Sequence, residues 1–175
     1  MVEHSDGSIW FTDPSYGIRS DYEGHEASPE IGSRNVYRLD PDHGDPDCRR
    51  RRISPSPTAL AFSPDERRLF IVDSELNHIR VFDVDHGTLS GGELFCADEQ
   101  GYDGIRFDHL GRLWGAAHDG LHCYDPDGSL IGKLRLPEIT ANLTFGGRQR
   151  NHLYMTATSS LYGLRVNFRA ASYPS

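Results

Sequence analysis

Asp103 is the carboxylate whose placement could do the most chemistry. It precedes Gly104 and the short run Ile105-Arg106-Phe107. Thr58 precedes Leu60-Ala61-Phe62, and Ala141-Asn142 precede Leu143-Thr144-Phe145. If the three runs are equivalent strands, these residues converge, and Asp103 is the only acid among them. A carboxylate at such a point suits a hard divalent cation; as a bare turn residue it would only start the Asp-Gly bend. Other chemistries find no support. The nine histidines include no HExxH pair. Ser159-Ser160 lacks a GxSxG setting, and Gly146-Gly147 lacks the GxGxxG context of a nucleotide site. Cys48, Cys96 and Cys123 fit no CxxC or Cys/His pattern, so reduced thiols in a cytoplasm are expected. His118 and His122, on or beside one strand, read as surface or hairpin residues rather than ligands. Asp13 and Asp73 end strands at matching places and read as turn caps.

The elements that must position these residues are short strands. SIWFTD, VYRLD, LAFSP, RLFIVD, IRVFDV, GIRFD, RLWGAA, LHCYD, KLRL, LTFGG, HLYMTA and LYGLRV alternate with turn signals such as Asp6-Gly7, Pro64-Asp65, His86-Gly87, Asp119-Gly120 and Asp127-Gly128. No amphipathic helix stands out. Ile18 to Arg34 is polar and reads as a long loop, and Arg49 to Arg52 as a solvated strand edge. The strands recur in order. Leu60-Ala61-Phe62, Ile105-Arg106-Phe107 and Leu143-Thr144-Phe145 are each followed by a second run (Leu69 to Val72, Leu113 to Ala116, Leu153 to Thr156). A third follows (Ile79 to Asp83, Leu121 to Asp125, Ser160 to Gly163). An earlier copy supplies Ile9 to Thr12 and Val36 to Asp40. A period of about 40–45 residues with about four strands each is the signature of β-propeller blades. The innermost strand of each blade lines the central channel, which is why Thr58 and Asp103 should point to one place. Trp10 and Trp114 hold like positions and read as packing between blades.

Composition agrees with a folded β protein. The 175 residues are 37% hydrophobic and 25% charged, with 18 Gly and 10 Pro. No apolar run approaches a membrane span, and the polar, acidic start lacks the features of a secretory signal. The net charge of −8 argues against nucleic acid as the main partner.

DGSIWFTDPSYG, VYRLDP, LAFSPDERRLF, Asp103-Gly104-Ile105, GRLWGAAHDGLHCYDPDG, LPE, ANLTFGG and SSLYGLRV appear in that order. Together they resemble the senescence marker protein 30/gluconolactonase family, the regucalcin-like lactonases, over nearly the whole chain. The resemblance implies a six-bladed β-propeller with one divalent metal (calcium, zinc, manganese or magnesium) on its axis, opening sugar lactones. Asp103 matches the family's metal-binding Asp in an Asp-Gly turn. There it would hold the metal and orient or deprotonate the attacking water. Thr58, in Pro57-Thr58-Ala59-Leu60, stands where the family has Asn in Pro-Asn-Gly-Leu, and a hydroxyl is a poorer ligand than an amide oxygen. The family's Glu near the domain start and a further Asn have no counterpart here. Glu30, with Glu26 as rival, is the nearest match to a substrate-side acid before the VYRL strand. Six blades need about 250–300 residues, and this chain holds about four. The expectation is therefore an all-β, single partial propeller domain over residues 1–175, the C-terminal part of a lactonase. A second chain completing the ring, or a non-catalytic binding module, are the other readings.

Overall fold

The computed structural model describes residues 1–22, 24–40, 49–51 (backbone only) and 56–174. Four antiparallel sheets follow one another along the chain. The first holds β1 (Val2–Glu3), β2 (Ile9–Thr12), β3 (Val36–Leu39) and β4 (Arg49–Arg51). The second holds β5 (Pro57–Phe62), β6 (Arg68–Asp73), β7 (His78–Asp85) and β8 (Thr88–Ala97). The third holds β9 (Ile105–Phe107), β10 (Leu113–Ala117), β11 (Gly120–Tyr124) and β12 (Leu130–Arg135). The fourth holds β13 (Thr140–Gly146), β14 (His152–Ala157) and β15 (Leu161–Arg165). Each sheet is an up-and-down meander in chain order, the arrangement of propeller blades. The only helix among the described residues is a single 3-10 turn at Tyr16–Ile18, which leads into the expected long loop from Ile18 to Arg34. Among the described residues no helix is long and apolar enough to cross a membrane.

The core is three layers between four sheets. Trp10 and Val36 meet Leu60, Phe62, Leu69 and Ile71 between the first and second sheets. Phe70, Val72 and Ile79 meet Tyr102, Ile105, Phe107 and Leu113 between the second and third. Ala116 and Leu121 meet Leu143, Leu153 and Met155 between the third and fourth, with Trp114 packed alongside. RLFIVD is a continuous apolar run because its alternate side chains serve two different layers. Both tryptophans bridge blades as expected. Trp10 sets its edge on Phe62 at 5.8 Å and Trp114 stacks on Phe168 at 5.0 Å.

Two expectations need correction. The strand β8 is not among the expected strands, and Gly91-Gly92 interrupts its apolar pattern. Gly92 instead forms a bulge: Val81 pairs with Glu93 and Phe82 with Gly91, leaving Gly92 unpaired at φ 107°. His122 is not a surface residue. It is 0% exposed, and its Nε2 lies 2.6 Å from Asp119 Oδ1. The His86-Gly87 turn is as read: both residues have positive φ, which suits a two-residue hairpin between Asp85 and Thr88. The expected strand edge at Arg49–Arg51 pairs with β3, and Arg52 lies outside the described residues, as does Cys48. Cys96 and Cys123 are free and buried. Burial pushes both thiols up to about 12, so they stay protonated.

Candidate functional site at the ends of the inner strands

The inner strands β5, β9 and β13 share a local irregularity at the end where the chain enters them. The β5–β6 register shifts between Pro57 and Leu60, and the β13–β14 register between Thr140 and Asn142. In the third sheet Asp103 N–H donates to Ala116 O at 2.9 Å, while Ala116 N–H donates to Gly104 O at 2.8 Å. Two residues thus face one, as in a bulge. Gly104 N–H turns away to Ala141 O of the next sheet at 2.9 Å. A bulge of this kind re-aims side chains out of the pleat, and Thr58 and Asp103 are re-aimed into one cavity of about 510 Å³. Gly104 is required by crowding: a Cβ there would lie 2.2 Å from Asn142 Oδ1 and 3.0 Å from its Cα.

Thr58 is fixed from two sides. Thr12 Oγ1 donates to its carbonyl at 2.9 Å, tying the first sheet to the second. Its own hydroxyl lies 2.6 Å from Ser74 Oγ, and Ser74 Oγ donates to Tyr102 O at 2.7 Å. Ser74 has one proton and the carbonyl can only accept. Thr58 is therefore the donor to Ser74, and the lone pairs of Thr58 Oγ1 remain available as acceptors. The relay ends on the residue before Asp103, so both candidate residues hang on one hydrogen-bonded frame. Asp103 itself is exposed.

The walls come from elements that sequence reasoning did not connect. Pro14 and Tyr16 enter from the segment that follows β2, and Ser74, Asn77 and His118 from hairpins. Thr140 also lines the cavity, 1% exposed, with its hydroxyl unpartnered among the described residues. Behind the cavity, the Tyr102 and Tyr124 hydroxyls are hydrogen-bonded, and burial pushes both phenols up. Tyr102 packs edge-on against His122 at 5.7 Å. Lys133 bridges Asp98 at 3.2 Å and Asp119 at 3.5 Å, beside His122. Burial opposes charge on Asp98 and Asp119. Even so, a backbone N–H on Asp98, the His122 hydrogen bond on Asp119 and Lys133 beside both hold these carboxyls below their usual range. This polar cluster adjoins Tyr102, which lines the cavity.

The other sequence candidates fall elsewhere. Glu30 lines a neighbouring hollow with Asp13, Ser33 and Arg34, which shares only Pro14 with the Thr58–Asp103 cavity. Glu26 lines a third, with Ser15 and Arg19. Arg19 and Arg34 both pair with Glu75, pinning the loop that carries Glu26 and Glu30 to the β6–β7 turn. Asp73 is the turn cap expected of it: its Oδ1 accepts the Glu75 and Leu76 N–H groups and its Oδ2 that of Ser56. Asp13 is exposed and shares the Glu30 hollow. Among the described residues, no three His, Cys, Asp or Glu side chains gather as a metal cage.

The chain is 28% identical over 174 residues to a gluconolactonase of Zymomonas mobilis, covering 91% of this chain and 48% of that one. The structure of a gluconolactonase from Xanthomonas campestris superposes with a TM-score of 0.84 at 34% identity, over 93% of this chain and 55% of that one. A calcium-binding regucalcin from Agrobacterium tumefaciens shares the fold, with a TM-score of 0.74 at 20% identity over 98% of this chain and 62% of that one. The chain spans about half the length of the curated relative from Zymomonas. Four sheets against 55% of a longer propeller are in keeping with about four blades of the six-bladed family fold. The family model for the SMP-30/gluconolactonase/LRE-like region matches residues 1–159. With nine-tenths of its length matched, and with the order of its sheets and the placement of its Asp-Gly turn already described, this chain belongs to the SMP-30/gluconolactonase family.

Proposed function

We propose that the chain forms one side of a sugar lactone hydrolase site, with Asp103 as the group that acts on water and Thr58 as a positioning acceptor. One observation carries this reading: Thr58 and Asp103, from successive blades, line the same cavity and are tied together through Ser74. Water attack on a lactone carbonyl forms a C–O bond, and the ring C–O bond then breaks to release a hydroxy acid. The attacking water must lose a proton, and a carboxylate within hydrogen-bond reach can take it and return it to the departing ring oxygen. Thr58 Oγ1, its proton committed to Ser74, can accept from that water or from a sugar hydroxyl. The exposed Asp103 is accessible to a small polar substrate. Glu30 belongs to this reading as a group that meets the sugar from the neighbouring hollow.

A divalent metal, whether calcium, zinc, manganese or magnesium, fits this chain only in part. One carboxylate and one hydroxyl fall short of the six to eight oxygens that calcium takes, or the four ligands of zinc. The step above therefore uses the chain's own groups, and a cation would need donors beyond Asp103 and Thr58. In this reading residues 1–175 make one partial propeller domain. A second chain that completes the ring would be its natural macromolecular partner, with no nucleic acid or membrane. The two buried, protonated thiols suit a cytoplasmic setting.

The second reading is a non-catalytic binding module. Thr58 in place of the family's Asn, and the sparse donor set, favour it. Gluconolactone hydrolysis by the protein and by Asp103→Asn separates the two. The hydrolase reading expects turnover above the buffer rate that drops roughly 100-fold or more in the variant. Equal rates for both proteins remove Asp103 from the reaction and leave the binding module.

A further inference from the structure

Charge is distributed very unevenly along this acidic chain. All 26 acidic residues lie at or before Glu138. From Ile139 onward there are none, while Arg148, Arg150, Arg165 and Arg169 follow. Three of these arginines converge. Arg148, Arg150 and Arg169 line a hollow of about 690 Å³ with His109 and Asn151, and no carboxylate is among its lining residues. It is bounded by the β9–β10 turn, the β13–β14 turn and the chain after β15, and it shares no lining residue with the Thr58–Asp103 cavity.

The hollow is built. His109 N–H donates to Arg169 O at 3.0 Å, and Arg169 N–H donates back to His109 Nδ1 at 3.3 Å. A neutral imidazole accepting at Nδ1 carries its proton on Nε2, which leaves Nε2–H as a donor. Arg150 Nη2 donates to Ala171 O at 2.7 Å, which steadies its guanidinium. Asn151 Nδ2 donates to Val166 O at 3.3 Å. Phe168 lies in the hollow, stacked on Trp114. The nearby carboxylate Asp108 is 0% exposed and already receives Arg112 and Trp114 Nε1. Among the described residues no carboxylate pairs with Arg148, Arg150 or Arg169. Guanidinium groups without local counter-charge, in a concave setting with a further N–H donor, match an anion that offers several oxygens at once.

We propose that this hollow binds a phosphate-class dianion, as inorganic phosphate or as the monoester of a small molecule. The concavity selects a compact ligand, and the negative remainder of the chain repels extended polyanions. Arg148 and Arg169 supply charge-assisted hydrogen bonds, and Arg150 and His109 set the shape of the cup.

The test is calorimetric titration of the full chain with inorganic phosphate and, separately, with glucose 6-phosphate. It is run at low ionic strength and about pH 8, where the monoester carries close to two charges. The expected result is saturable one-to-one binding that weakens at least ~10-fold in the double variant Arg148→Ala/Arg169→Ala, about 1.4 kcal/mol. Both side chains are exposed, so folding is preserved, and Arg150 is left in place because it holds Ala171. Arg165→Ala, on β15 outside the hollow, should change the constant less than ~2-fold. Tighter binding of the sugar phosphate assigns the site to a phosphorylated metabolite, and the reverse order to free phosphate. Either order supports the proposal. Absence of saturation, or an equal loss in Arg165→Ala, overturns it.

Discussion

The second and fourth sheets are both antiparallel meanders, yet they are held in different ways. In β6 five of six residues are buried, whereas in β15 none is. The second sheet is sandwiched between two apolar layers, one shared with each neighbour. The fourth rests on the third through Leu143, Leu153 and Met155, while Tyr154, Leu161 and Leu164 face outward at 36%, 69% and 43% exposure. A doubly covered strand cannot move without disturbing two cores. Thr58 lies on a sheet of this kind and Asp103 at the start of the next, which is also covered on both faces. The candidate site is thus held by the most constrained part of the molecule, and the basic hollow by turns at its margin.

The largest expected effect tests that difference directly. Phe70 is 1% exposed and packs edge-on against Phe95 and Phe107, both at 5.0 Å. Phe70→Ala should lower unfolding free energy by about 3–5 kcal/mol in urea titration. Leu161→Ala, on the open face of the fourth sheet, should stay within about 0.5 kcal/mol of the parent. Comparable losses in the two variants would mean that the outward face of the fourth sheet is covered in solution.

A pair of glycine substitutions sharpens the comparison. Gly104 sits at the junction of the third and fourth sheets, where a Cβ meets Asn142 side chain and backbone. Gly104→Ala should cost about 1–3 kcal/mol and displace Asp103 with it, which would appear in any assay that reports on Asp103. Gly163, on β15, has room: a Cβ there meets only the Tyr154 ring at 3.6 Å, ordinary van der Waals distance. Gly163→Ala should be neutral or stabilising by up to about 1 kcal/mol. Thermal melts of the two variants decide the matter, and equal losses would refute the assignment of strain to the Gly104 crossing.

Much of this organisation was legible in the residues. The repeated order of three strand types gave the blades, because a layer of strands covered on both faces writes continuous apolar runs such as RLFIVD. Asp103 and Thr58 could be paired because equivalent inner-strand entries converge by geometry. What escaped reading was whatever depends on contacts between distant segments. Ser74 follows a turn-capping Asp73 and looks like loop, and its hydroxyl matters only because Thr58 and the Tyr102 carbonyl come within reach of it. His122 looked like a hairpin residue. Asp119, in the Asp-Gly turn three residues earlier, was the available signal that a buried partner existed. The ten-residue strand through Gly92 was not picked out, because an unpaired residue in the ladder breaks the alternation of apolar side chains along it.

The smallest effect concerns what holds the open sheet together at its tip. Glu138 accepts from Ser159 N–H at 2.7 Å, from Ser160 Oγ at 2.7 Å and from Tyr162 Oη at 2.9 Å, clamping the β14–β15 turn to the chain entering β13. Those hydrogen bonds, led by Ser160, pull its carboxyl down from the ordinary 4.5 to about 2. A carboxyl depressed in the folded state stabilises it only while ionised. The clamp is therefore complete above the ordinary carboxyl value and weakens as pH falls from there toward about 2. Glu138→Gln removes the titration and leaves only a weaker acceptor. The gap in melting temperature between parent and variant should be constant near neutrality and close progressively across that acidic window. The amide resonance of Ser159 should shift over the same range in the parent alone. A gap that stays constant through the acidic range would show that the turn is held by its backbone and not by Glu138, and the second and fourth sheets would then differ in burial only.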